Sequence, residues 1–449
     1  MTIVHALGWY FPDSLGGTEI YVEGLCRWLQ RAGYDVLVAA PDARASVERT
    51  YTHNGVQVYR YPIPATLTRE EAQGLVPVRG AERFHAWLQG TQADILHVHG
   101  LVSGLGLDEL RAAGEAGMRL VLTNHLPSLG FICRRGTLLR WGRRPCDGVT
   151  RPRTCAACML QSRGLRRPLA DVVAALPAGL GRAMGTLPGR VGTGLGLRAS
   201  IARDRERQRE LIELVDAFVV LNDEAARIVR RNDLPAGRLV VNRLGVSLPG
   251  LLRKAGPSEQ PTRTPIEIGF VGRFHAVKGA DVLVRAVRRL PPEVPLHVEL
   301  RGPVSGPDDE RCLQQLKALA GPEHRLTFGP ALAPAEIGAA LGRYDVLCCP
   351  SVWFENGPTI ALEAQAVGTP VIGSRLGALP EIIADGENGR LFEPGDVGGL
   401  ARILNELARE PAMVDRWRTA LPPPRTMDAI AADYVRLYSS LIEPAVVQG

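Results

Sequence analysis

The stretch SVWFENGPTIALEA, residues 351–364, decides the fold prediction because a strand pattern changes to a helix pattern across it. The apolar run Val346–Cys349 precedes it and predicts a buried strand, whereas the apolar residues after it have helical spacing through Ala366. Glu355 therefore falls on the loop after a strand, and Glu363 falls on the next helix. Ligands of open α/β sheets bind at the carboxyl ends of strands, where helix N-termini offer unpaired N–H groups. The stretch predicts an α/β fold with a binding site at this edge.

The two glutamates suit a ligand that is rich in hydroxyl groups. An ionised carboxylate accepts hydrogen bonds through two oxygens, so it can hold both hydroxyls of a ribose or of a sugar ring. The backbone N–H groups of Gly357 and Thr359 can face a diphosphate, because Gly357 permits close approach and Pro358 fixes the first helical turn. Isolated glutamates are more often exposed to solvent. Glu363 departs from that expectation because its neighbours in the helix are apolar.

A second motif, IEIGFVGRFHAVKG at residues 266–279, has a strand pattern followed by a turn with two flanking cations. Arg273 can bind phosphate oxygens in bidentate fashion, and Lys278 adds a point charge. The pair can thus neutralise a leaving nucleoside diphosphate without a metal ion, although each cation alone is more often simply exposed. No Asp-x-Asp element with the surroundings of a divalent-metal site occurs in the sequence, which favours metal-free catalysis.

These motifs resemble those of the family 4 glycosyltransferases, a retaining class of the GT-B type that moves a sugar from an activated nucleotide to an acceptor. The resemblance covers most of the chain and leaves out only about residues 126–205. Three first-domain segments carry it together with the segments above: FPDSLGGTE at 11–19, DILHVH at 94–99 and LVLTNH at 120–125.

The resemblance implies an α/β fold of GT-B architecture, with two Rossmann-like domains that face a central cleft. Residues 1–247 form an N-terminal acceptor domain with an insertion at about 126–205. A linker rich in proline and threonine covers 258–265, and residues 266–421 form the nucleotide-sugar-binding domain. Residues 427–449 contain a helix that crosses back to the N-terminal domain.

The resemblance also assigns roles to single residues. Arg273 and Lys278 hold the diphosphate, and stabilisation of its charge is the main catalytic contribution. Glu363 binds the ribose hydroxyls, Glu355 a hydroxyl of the donor sugar, and His125 orients the sugar or acts as an acid or base. The catalytic set is His125, Glu355, Arg273 and Lys278, and the donor-binding set is Gly16, Gly17, Arg273, Lys278, Glu355, Asn356, Gly357, Pro358, Thr359 and Glu363.

The implied activity is hexosyl transfer with retention, from a UDP- or GDP-sugar to a glycan, lipid-linked or small-molecule acceptor, without a catalytic cofactor. It suits polysaccharide or glycolipid biosynthesis. A non-catalytic scaffold that binds nucleotide sugars is one alternative, but it predicts damaged donor residues, and the donor residues are all present. A nucleotide-sugar 2-epimerase of the same fold is another, but it needs catalytic acids that the sequence does not place.

Composition agrees with a two-domain globular protein. The chain has 449 residues, of which 45% are hydrophobic and 22% charged, and this length is expected to form two domains. It contains no apolar run long enough to span a membrane, and the first residues have a strand pattern without a basic leader, which predicts a cytoplasmic protein. The net charge of +6 permits an anionic partner. No feature indicates binding to nucleic acid.

The positive charge is concentrated in the insertion. Between Cys133 and Arg167 lie ten arginines and one acidic residue, Asp147. Such a segment is expected to attract an anionic or lipid-linked acceptor, or to make peripheral contact with the inner membrane surface, whereas a solvated loop is the alternative. The stretch from Pro168 to Ala199, rich in Leu, Ala and Gly, indicates weak helices that form a lid or a membrane-facing flap.

Four of the eight cysteines lie in the same insertion with the spacing C-x12-C-x8-C-x2-C: Cys133, Cys146, Cys155 and Cys158. Four thiolates so close in sequence can enclose one structural Zn²⁺. An iron–sulfur cluster uses the same ligands, and free or redox-active thiols are a third alternative. The neighbouring arginines are expected to lower the pKa of these thiols.

Overall fold

A computed structural model describes residues 1–13, 16–125, 128–141, 144–233, 235–246 and 264–442. The chain forms two compact units: unit 1 comprises Met1–Arg243 and Met427–Gly449, and unit 2 comprises Leu244–Thr426. Several positions of the sequence predictions lie outside the described residues: 14–15 of the glycine loop, 126–127 and 142–143 of the insertion, the domain end at 247, most of the linker, and 443–449.

Unit 1 is built on an eight-stranded sheet in the order β10-β9-β6-β5-β1-β2-β4-β3. Every described pairing in this sheet is parallel except that of β3 with β4. The central strands are apolar and buried because helices cover both faces of such sheets. The strands are β1 Thr2–Ala6, β2 Asp35–Asp42, β3 Arg49–His53, β4 Val56–Pro62, β5 Ile95–Val98, β6 Arg119–Thr123, a small antiparallel pair β7 Leu139–Arg140 and β8 Arg144–Pro145, β9 Ala217–Val220 and β10 Leu239–Val241.

The helices of unit 1 fall into two groups. One group follows the strands of the sheet, and the other, α5 to α8 with the start of α9, forms the insertion around its own apolar cluster. The helices are α1 Gly17–Arg31, α2 Arg69–Ala72, α3 Ala81–Thr91, α4 Leu107–Glu115, α5 Pro152–Ser162, α6 Arg167–Ala175, α7 Ala178–Met184, α8 Gly189–Leu195, α9 Leu197–Leu214 and α10 Asp223–Arg230. No described helix has both the length and the apolar composition needed to cross a membrane.

Unit 2 has a six-stranded sheet, with every described pairing parallel, in the order β13-β12-β11-β14-β15-β16. Its strands are β11 Ile266–Val271, β12 Leu296–Arg301, β13 Leu326–Gly329, β14 Val346–Cys349, β15 Val371–Ser374 and β16 Gly389–Phe392. Its helices are α11 Ala280–Arg288, α12 Pro307–Ala320, α13 Pro334–Leu341, α14 Thr359–Ala366, α15 Leu379–Ile382, α16 Val397–Arg409 and α17 Ala412–Thr419. Both units are therefore Rossmann-like, and the predicted fold class is confirmed.

The last helix, α18 Met427–Ile442, belongs to unit 1 although it follows unit 2 in sequence. Its buried face carries Tyr434 and Tyr438, both with no exposed surface. These tyrosines are four residues apart and thus lie on the same side of the helix. Tyr21 of α1 donates a hydrogen bond to the Tyr434 hydroxyl over 3.1 Å, so α18 brings two phenol groups into the interior of unit 1.

Candidate functional site

The sheet of unit 2 changes direction between β11 and β14. The strands β12 and β13 lie beyond β11, whereas β15 and β16 lie beyond β14. At such a switch point the connections leave in opposite directions and open a crevice at the carboxyl ends of the two strands. Arg273 and Lys278 follow β11, and Glu355 follows β14, so the topology brings the two predicted motifs together.

A glycine allows the two loops to approach each other closely. Gly279 has φ +70°, and a Cβ placed on it would lie 1.9 Å from the carbonyl oxygen of Pro350. Only glycine tolerates both that φ and that contact. The preceding 3₁₀ turn, Ala276–Lys278, ends here, and Lys278 therefore lies beside the loop that carries Glu355.

Lys278 and Glu355 form an ion pair in which the carboxylate is buried and the lysine side chain is 30% exposed. The distance from Lys278 Nζ to Glu355 Oε1 is 2.8 Å, and Glu355 is only 6% exposed. The same Oε1 accepts from Ser351 Oγ at 2.5 Å and from Trp353 Nε1 at 3.0 Å. No described residue donates to Glu355 Oε2, which leaves that oxygen as an acceptor for a ligand.

The backbone of the loop is fixed from behind. Ala378 N–H donates to the carbonyl oxygen of Glu355 over 2.8 Å. A Cβ on Gly377, whose φ is +62°, would come within 2.3 Å of that oxygen. Ser374 Oγ also donates to the Ser351 carbonyl at 2.6 Å. The carboxylate of Glu355 is therefore held in place before any ligand arrives.

Glu363 differs from Glu355 in having no protein partner. It lies on α14, is half-buried, and makes no hydrogen bond or ion pair with a described residue. Burial raises the pKa of its carboxyl above the usual range. A desolvated carboxylate without donors gains most from ligand hydroxyls, because their hydrogen bonds offset the cost of its burial.

Arg273 is the most exposed of the predicted phosphate-binding residues, with half of its side chain accessible. Its Nε lies 3.9 Å from the buried Asp309 Oδ1 in the first turn of α12, which is a weak attachment. The first turn of α14 has no side-chain cap, and its N-terminal residue Thr359 donates to Gly357. The guanidinium group is thus accessible to an anion, whereas the Thr359 N–H is already used within the loop.

Unit 1 has its own switch point, between β1 and β5, and four histidines lie there. His5 Nδ1 is 2.9 Å from His99 Nε2, and His99 Nδ1 is 3.1 Å from His125 Nε2. His5 is fully buried, His99 is nearly so, and His125 at the end of the chain of rings is half-buried. The rings therefore form one hydrogen-bonded row that ends at the predicted sugar-orienting residue.

His97 connects this cluster to α18. Its Nδ1 lies 2.6 Å from the Tyr438 hydroxyl, and its Nε2 lies 2.7 Å from Thr123 Oγ1. Thr123 Oγ1 in turn lies 2.7 Å from the Tyr434 hydroxyl. The rings of His97 and His99 are 4.0 Å apart between centroids. The C-terminal helix thereby fixes the orientation of the histidine cluster.

Burial keeps the four histidines neutral. It lowers the pKa of His5 and of His125 to about 3, and it lowers the pKa of His97 and of His99 well below the usual range. A neutral imidazole has one N–H group, so the proton positions along the row depend on one another. His125 is consequently suited to orient a sugar through a neutral hydrogen bond.

Three of these histidines form the only group of possible metal ligands among the described residues. The candidate ligand atoms of His5, His97 and His99 all lie within 4.8 Å of one another. However, both ring nitrogens of His97 and of His99 already have hydrogen-bond partners. Of the six ring nitrogens in these three residues, only His5 Nε2 has no partner among the described residues. Coordination by all three rings would break these hydrogen bonds, so the geometry favours the hydrogen-bonded row.

The four cysteines of the insertion line a single cavity of about 50 Å³. No three of their sulfurs lie within 4.8 Å of one another, although all four belong to the described residues. The backbone N–H of Trp141 donates to Cys158 Sγ over 3.0 Å, and that of Arg151 donates to Cys155 Sγ over 3.4 Å.

The expected lowering of the thiol pKa is wrong for Cys146 and Cys155. Burial raises the pKa of Cys155 to about 11, and it also raises the pKa of Cys146. The attraction of Arg140 lowers the pKa of Cys146 by less than burial raises it, because removal from water penalises the thiolate.

The glycine loop leads into α1 at the carboxyl end of β1. Gly16 precedes the helix without a side-chain cap, and its carbonyl accepts from Ile20 N–H over 3.1 Å. A Cβ on Gly16 would lie 2.6 Å from Glu19 Oε2, whereas a Cβ on Gly17 would meet nothing within 4 Å. The space around Gly17 leaves its backbone open to close approach.

Several polar residues of these sites were missed by sequence reasoning. His5, Ser351, Trp353, Tyr434 and Tyr438 all contact a predicted residue or its network. Two signals were present: His97 lies on β5 with His99 two residues later, just beyond the end of the strand, and the two tyrosines of α18 are one helical turn apart. Nothing in the sequence, however, indicated which elements would pack together.

Two family models match the chain. The model of the glycosyl transferases group 1 matches residues 255–421, and that of the glycosyl transferase 4-like domain matches residues 16–190. A D-inositol 3-phosphate glycosyltransferase of Mycolicibacterium smegmatis is 32% identical over 248 residues, which are 52% of this chain and 55% of the relative. Its counterpart in Corynebacterium urealyticum is 31% identical over 44% of this chain and 50% of the relative. The chain thus spans about half the length of the curated relatives it matches.

The fold also matches solved structures along nearly the whole chain. Sucrose-phosphate synthase from Thermosynechococcus elongatus aligns with a TM-score of 0.64 and 19% identity, covering 98% of this chain and 99% of that one. The Anabaena protein HepE, solved with UDP, aligns with a TM-score of 0.60 and 14% identity, covering 98% of this chain and 100% of that one. At these identities the likeness concerns the fold alone. One glycosyltransferase model thus matches part of each unit, and both models support the predicted resemblance to the family 4 glycosyltransferases.

Proposed function

We propose that this protein transfers a hexosyl group from a nucleoside diphosphate sugar to an acceptor, with retention of the anomeric configuration and without a catalytic metal ion. The observation that carries the proposal is the ion pair of Lys278 with the buried Glu355 at the switch point of unit 2. The fixed cation on one loop matches the diphosphate of such a donor, and the fixed carboxylate on the other loop matches the hydroxyl groups of its sugar.

The diphosphate would bind to the cations. Lys278, Arg273 and the N–H groups at the start of α14 supply positive charge where the leaving group accumulates negative charge. As the bond between the anomeric carbon and the phosphate oxygen breaks, that oxygen would take the proton of the acceptor hydroxyl. Charge stabilisation by fixed groups of this kind lowers the barrier without a metal ion.

The two glutamates would bind hydroxyl groups at the two ends of the donor. Glu363 has no hydrogen-bond or ion-pair partner in the part of the chain that the structure describes, so its carboxylate is suited to the ribose diol. Glu355 uses Oε1 for three protein donors and keeps Oε2 for a hydroxyl of the transferred sugar. The roles of Gly16, Gly17 and His125, namely backbone contact with the diphosphate and orientation of the sugar, stay predictions from the family resemblance.

The assay that tests the proposal measures release of nucleoside diphosphate from a panel of UDP- and GDP-sugars in EDTA. D-inositol 3-phosphate, the compound named in the curated relatives, belongs among the acceptors together with cell lipid extracts. We expect acceptor-dependent release, and the anomeric proton coupling of the product in NMR should equal that of the donor. Tight nucleotide binding without release from any donor would instead support a scaffold, and an inverted product would contradict retention.

For the insertion we propose a structural Zn²⁺ held by Cys133, Cys146, Cys155 and Cys158. The shared cavity and the two N–H···S hydrogen bonds support it, because such bonds stabilise thiolate ligands. Since no three sulfurs are within 4.8 Å, binding would draw the β7–β8 hairpin and α5 closer together. The raised pKa values mean that the metal must displace thiol protons.

Metal analysis of the protein purified under reducing conditions tests this site. We expect about one zinc per chain, and loss of that zinc in Cys155→Ser. Cys26→Ser is a suitable control because Cys26 is also a free thiol but is buried in α1. Iron in place of zinc would support the cluster, and absence of both metals would contradict the proposal.

A further inference from the structure

The insertion exposes an unusual amount of apolar surface. Twelve large hydrophobic side chains are exposed among the described residues, and five of them fall between Leu169 and Val191. We use the name apolar–arginine face for these exposed side chains together with the arginines of the same segment. Its apolar members are Leu169, Val172, Leu180, Leu187 and Val191.

This apolar surface is additional to the core of the insertion. Ala170 and Ala174 of α6 are buried against α5 and the start of α9, where they join a cluster with Met159, Leu197 and Ile201. Val172, on another side of α6, is 65% exposed, and Val191 of α8 is 67% exposed. Packing within unit 1 therefore does not use these side chains.

The same segment carries excess positive charge. From Arg163 to Arg190 there are five arginines and one acidic residue, Asp171. Arg167 lies 3.8 Å from Asp171, whereas the other four make no ion pair with a described residue. These four are Arg163, Arg166, Arg182 and Arg190, and all are exposed.

A cavity of about 730 Å³ opens among the helices of this face. Its lining combines aliphatic side chains with arginine, since Arg163 and Arg190 both contribute to it. Arg69 of α2 also lines it and donates to the Leu187 carbonyl over 2.8 Å. The apolar lining residues are Leu160, Leu165, Val173, Val191 and Leu195. The volume lies in the range typical of small-ligand sites.

We propose that the apolar–arginine face binds an anionic lipid bilayer. Short helices with exposed aliphatic side chains and unpaired arginines suit the boundary between acyl chains and headgroups, where arginines meet phosphate and the aliphatic groups leave water. The cavity accepts the chain of one lipid while Arg163 and Arg190 contact its phosphate. This surface lies in unit 1, and the proposal does not depend on the donor chemistry of unit 2.

Sedimentation of the full chain with vesicles tests the proposal. We expect binding to vesicles that contain phosphatidylglycerol, little binding to pure phosphatidylcholine, and weakening at high salt. Replacing two exposed valines, Val172→Asp with Val191→Asp, should weaken binding at least about tenfold, because aspartate opposes both the apolar and the electrostatic contributions. Val47→Asp is the matched control, since Val47 is also 67% exposed in unit 1 but lies far from the insertion in sequence. It should bind nearly as the wild type does.

A second pair of variants tests the charge. Arg163→Gln with Arg190→Gln should reduce binding, whereas the single control Arg409→Gln on α16 of unit 2 should not. All these positions are exposed, so melting temperatures should stay unchanged. Equal binding to both vesicle types, equal loss in the controls, or no wild-type binding would overturn the proposal. Self-association that the valine substitutions abolish would also overturn the proposal, because it would assign the face to a second copy of the chain. Full competition by inorganic phosphate would overturn it as well, because it would assign the face to a soluble anion.

Discussion

The two sheets of this protein have the same kind of switch point, but charged side chains lie at one and neutral side chains lie at the other. In unit 2, between β11 and β14, the crevice holds the ion pair of Lys278 and Glu355. In unit 1, between β1 and β5, it holds a row of imidazoles that burial keeps neutral. In each unit the backbone topology thus sets the place of the crevice, and the side chains set its charge.

Under the proposed function, the difference follows from what each site would stabilise. A leaving diphosphate needs fixed positive charge, and the ion pair with Glu355 holds the Lys278 ammonium group in place. A sugar has no charge, so neutral donors and acceptors in fixed orientation suit it better. Substitutions at the unit 2 site should therefore cause large losses of activity or affinity, because they remove charge. Substitutions in the histidine row of unit 1 should cause smaller losses of activity, because they change only the orientation of neutral groups.

The largest effect is expected from Lys278→Ala. The change removes charge from the diphosphate site and leaves Glu355 buried without its cation, so kcat/KM should fall on the order of a hundredfold or more. Steady-state release of nucleoside diphosphate measures it. Lys317→Ala on α12 is the control, because Lys317 is exposed and makes no described ion pair. Unchanged activity in Lys278→Ala would contradict the role of the ion pair.

Glu363→Gln should have the next largest effect. It keeps the side-chain volume but removes the charged acceptor, so affinity for the nucleoside diphosphate should fall about ten- to a hundredfold, as for a hydrogen bond to a charged group. Calorimetric titration measures this. A 2′-deoxynucleotide should bind the wild type weakly and be nearly insensitive to the substitution. Equal losses for ribose and deoxyribose ligands would show that Glu363 does not bind the diol.

His99→Phe should affect the reaction less. It removes both hydrogen bonds of the central ring, so His125 loses its fixed orientation while its own side chain stays intact. We expect kcat to fall on the order of tenfold, with the donor KM unchanged. His99→Gln, which can donate and accept, should restore part of the activity. A rise in KM at constant kcat would mean that the row supports binding instead of orientation.

The smallest effect concerns pH and stability. The folded state lowers the pKa of all four histidines, so below about pH 6.5 the unfolded chain binds more protons than the folded chain. The contribution of these histidines to the free energy of unfolding should therefore be complete above about pH 6.5 and should decline as the pH falls towards about 3. Denaturant titrations across this range measure the slope. His99→Gln should flatten it, whereas the control His324→Gln, at an exposed histidine, should not. An identical slope in both variants would contradict the prediction.

The positions of Glu355 and Glu363 in the fold could be predicted because the signals are local. The strand Val346–Cys349, the loop position of Glu355 and the helix position of Glu363 all follow from periodicity within a short stretch, and β14 and α14 have these positions. The strand order then explains why the segment after β11 lies next to the loop that follows β14. The ion pair itself joins residues 77 positions apart, and only the packing of the two loops brings it about.

The unit 1 site could not be predicted in the same way. His97 is 341 residues from Tyr438, its hydrogen-bond partner, and His5 is 94 residues from His99. A histidine in an apolar strand has the same pattern whether it is isolated or part of a network. The thiol pKa prediction failed for a related reason, since the count of nearby arginines gave no information about the burial of Cys155.

The most direct test of the central claim is calorimetric titration of UDP and GDP into the wild type and Lys278→Ala, with EDTA present throughout. The claim is that the switch point of unit 2 binds the diphosphate with protein charges alone. We expect one of the two nucleotides to bind the wild type in EDTA, and Lys278→Ala to lose at least about a hundredfold in affinity. Binding that requires added Mg²⁺ or Mn²⁺, or that is the same in both proteins, would contradict the claim.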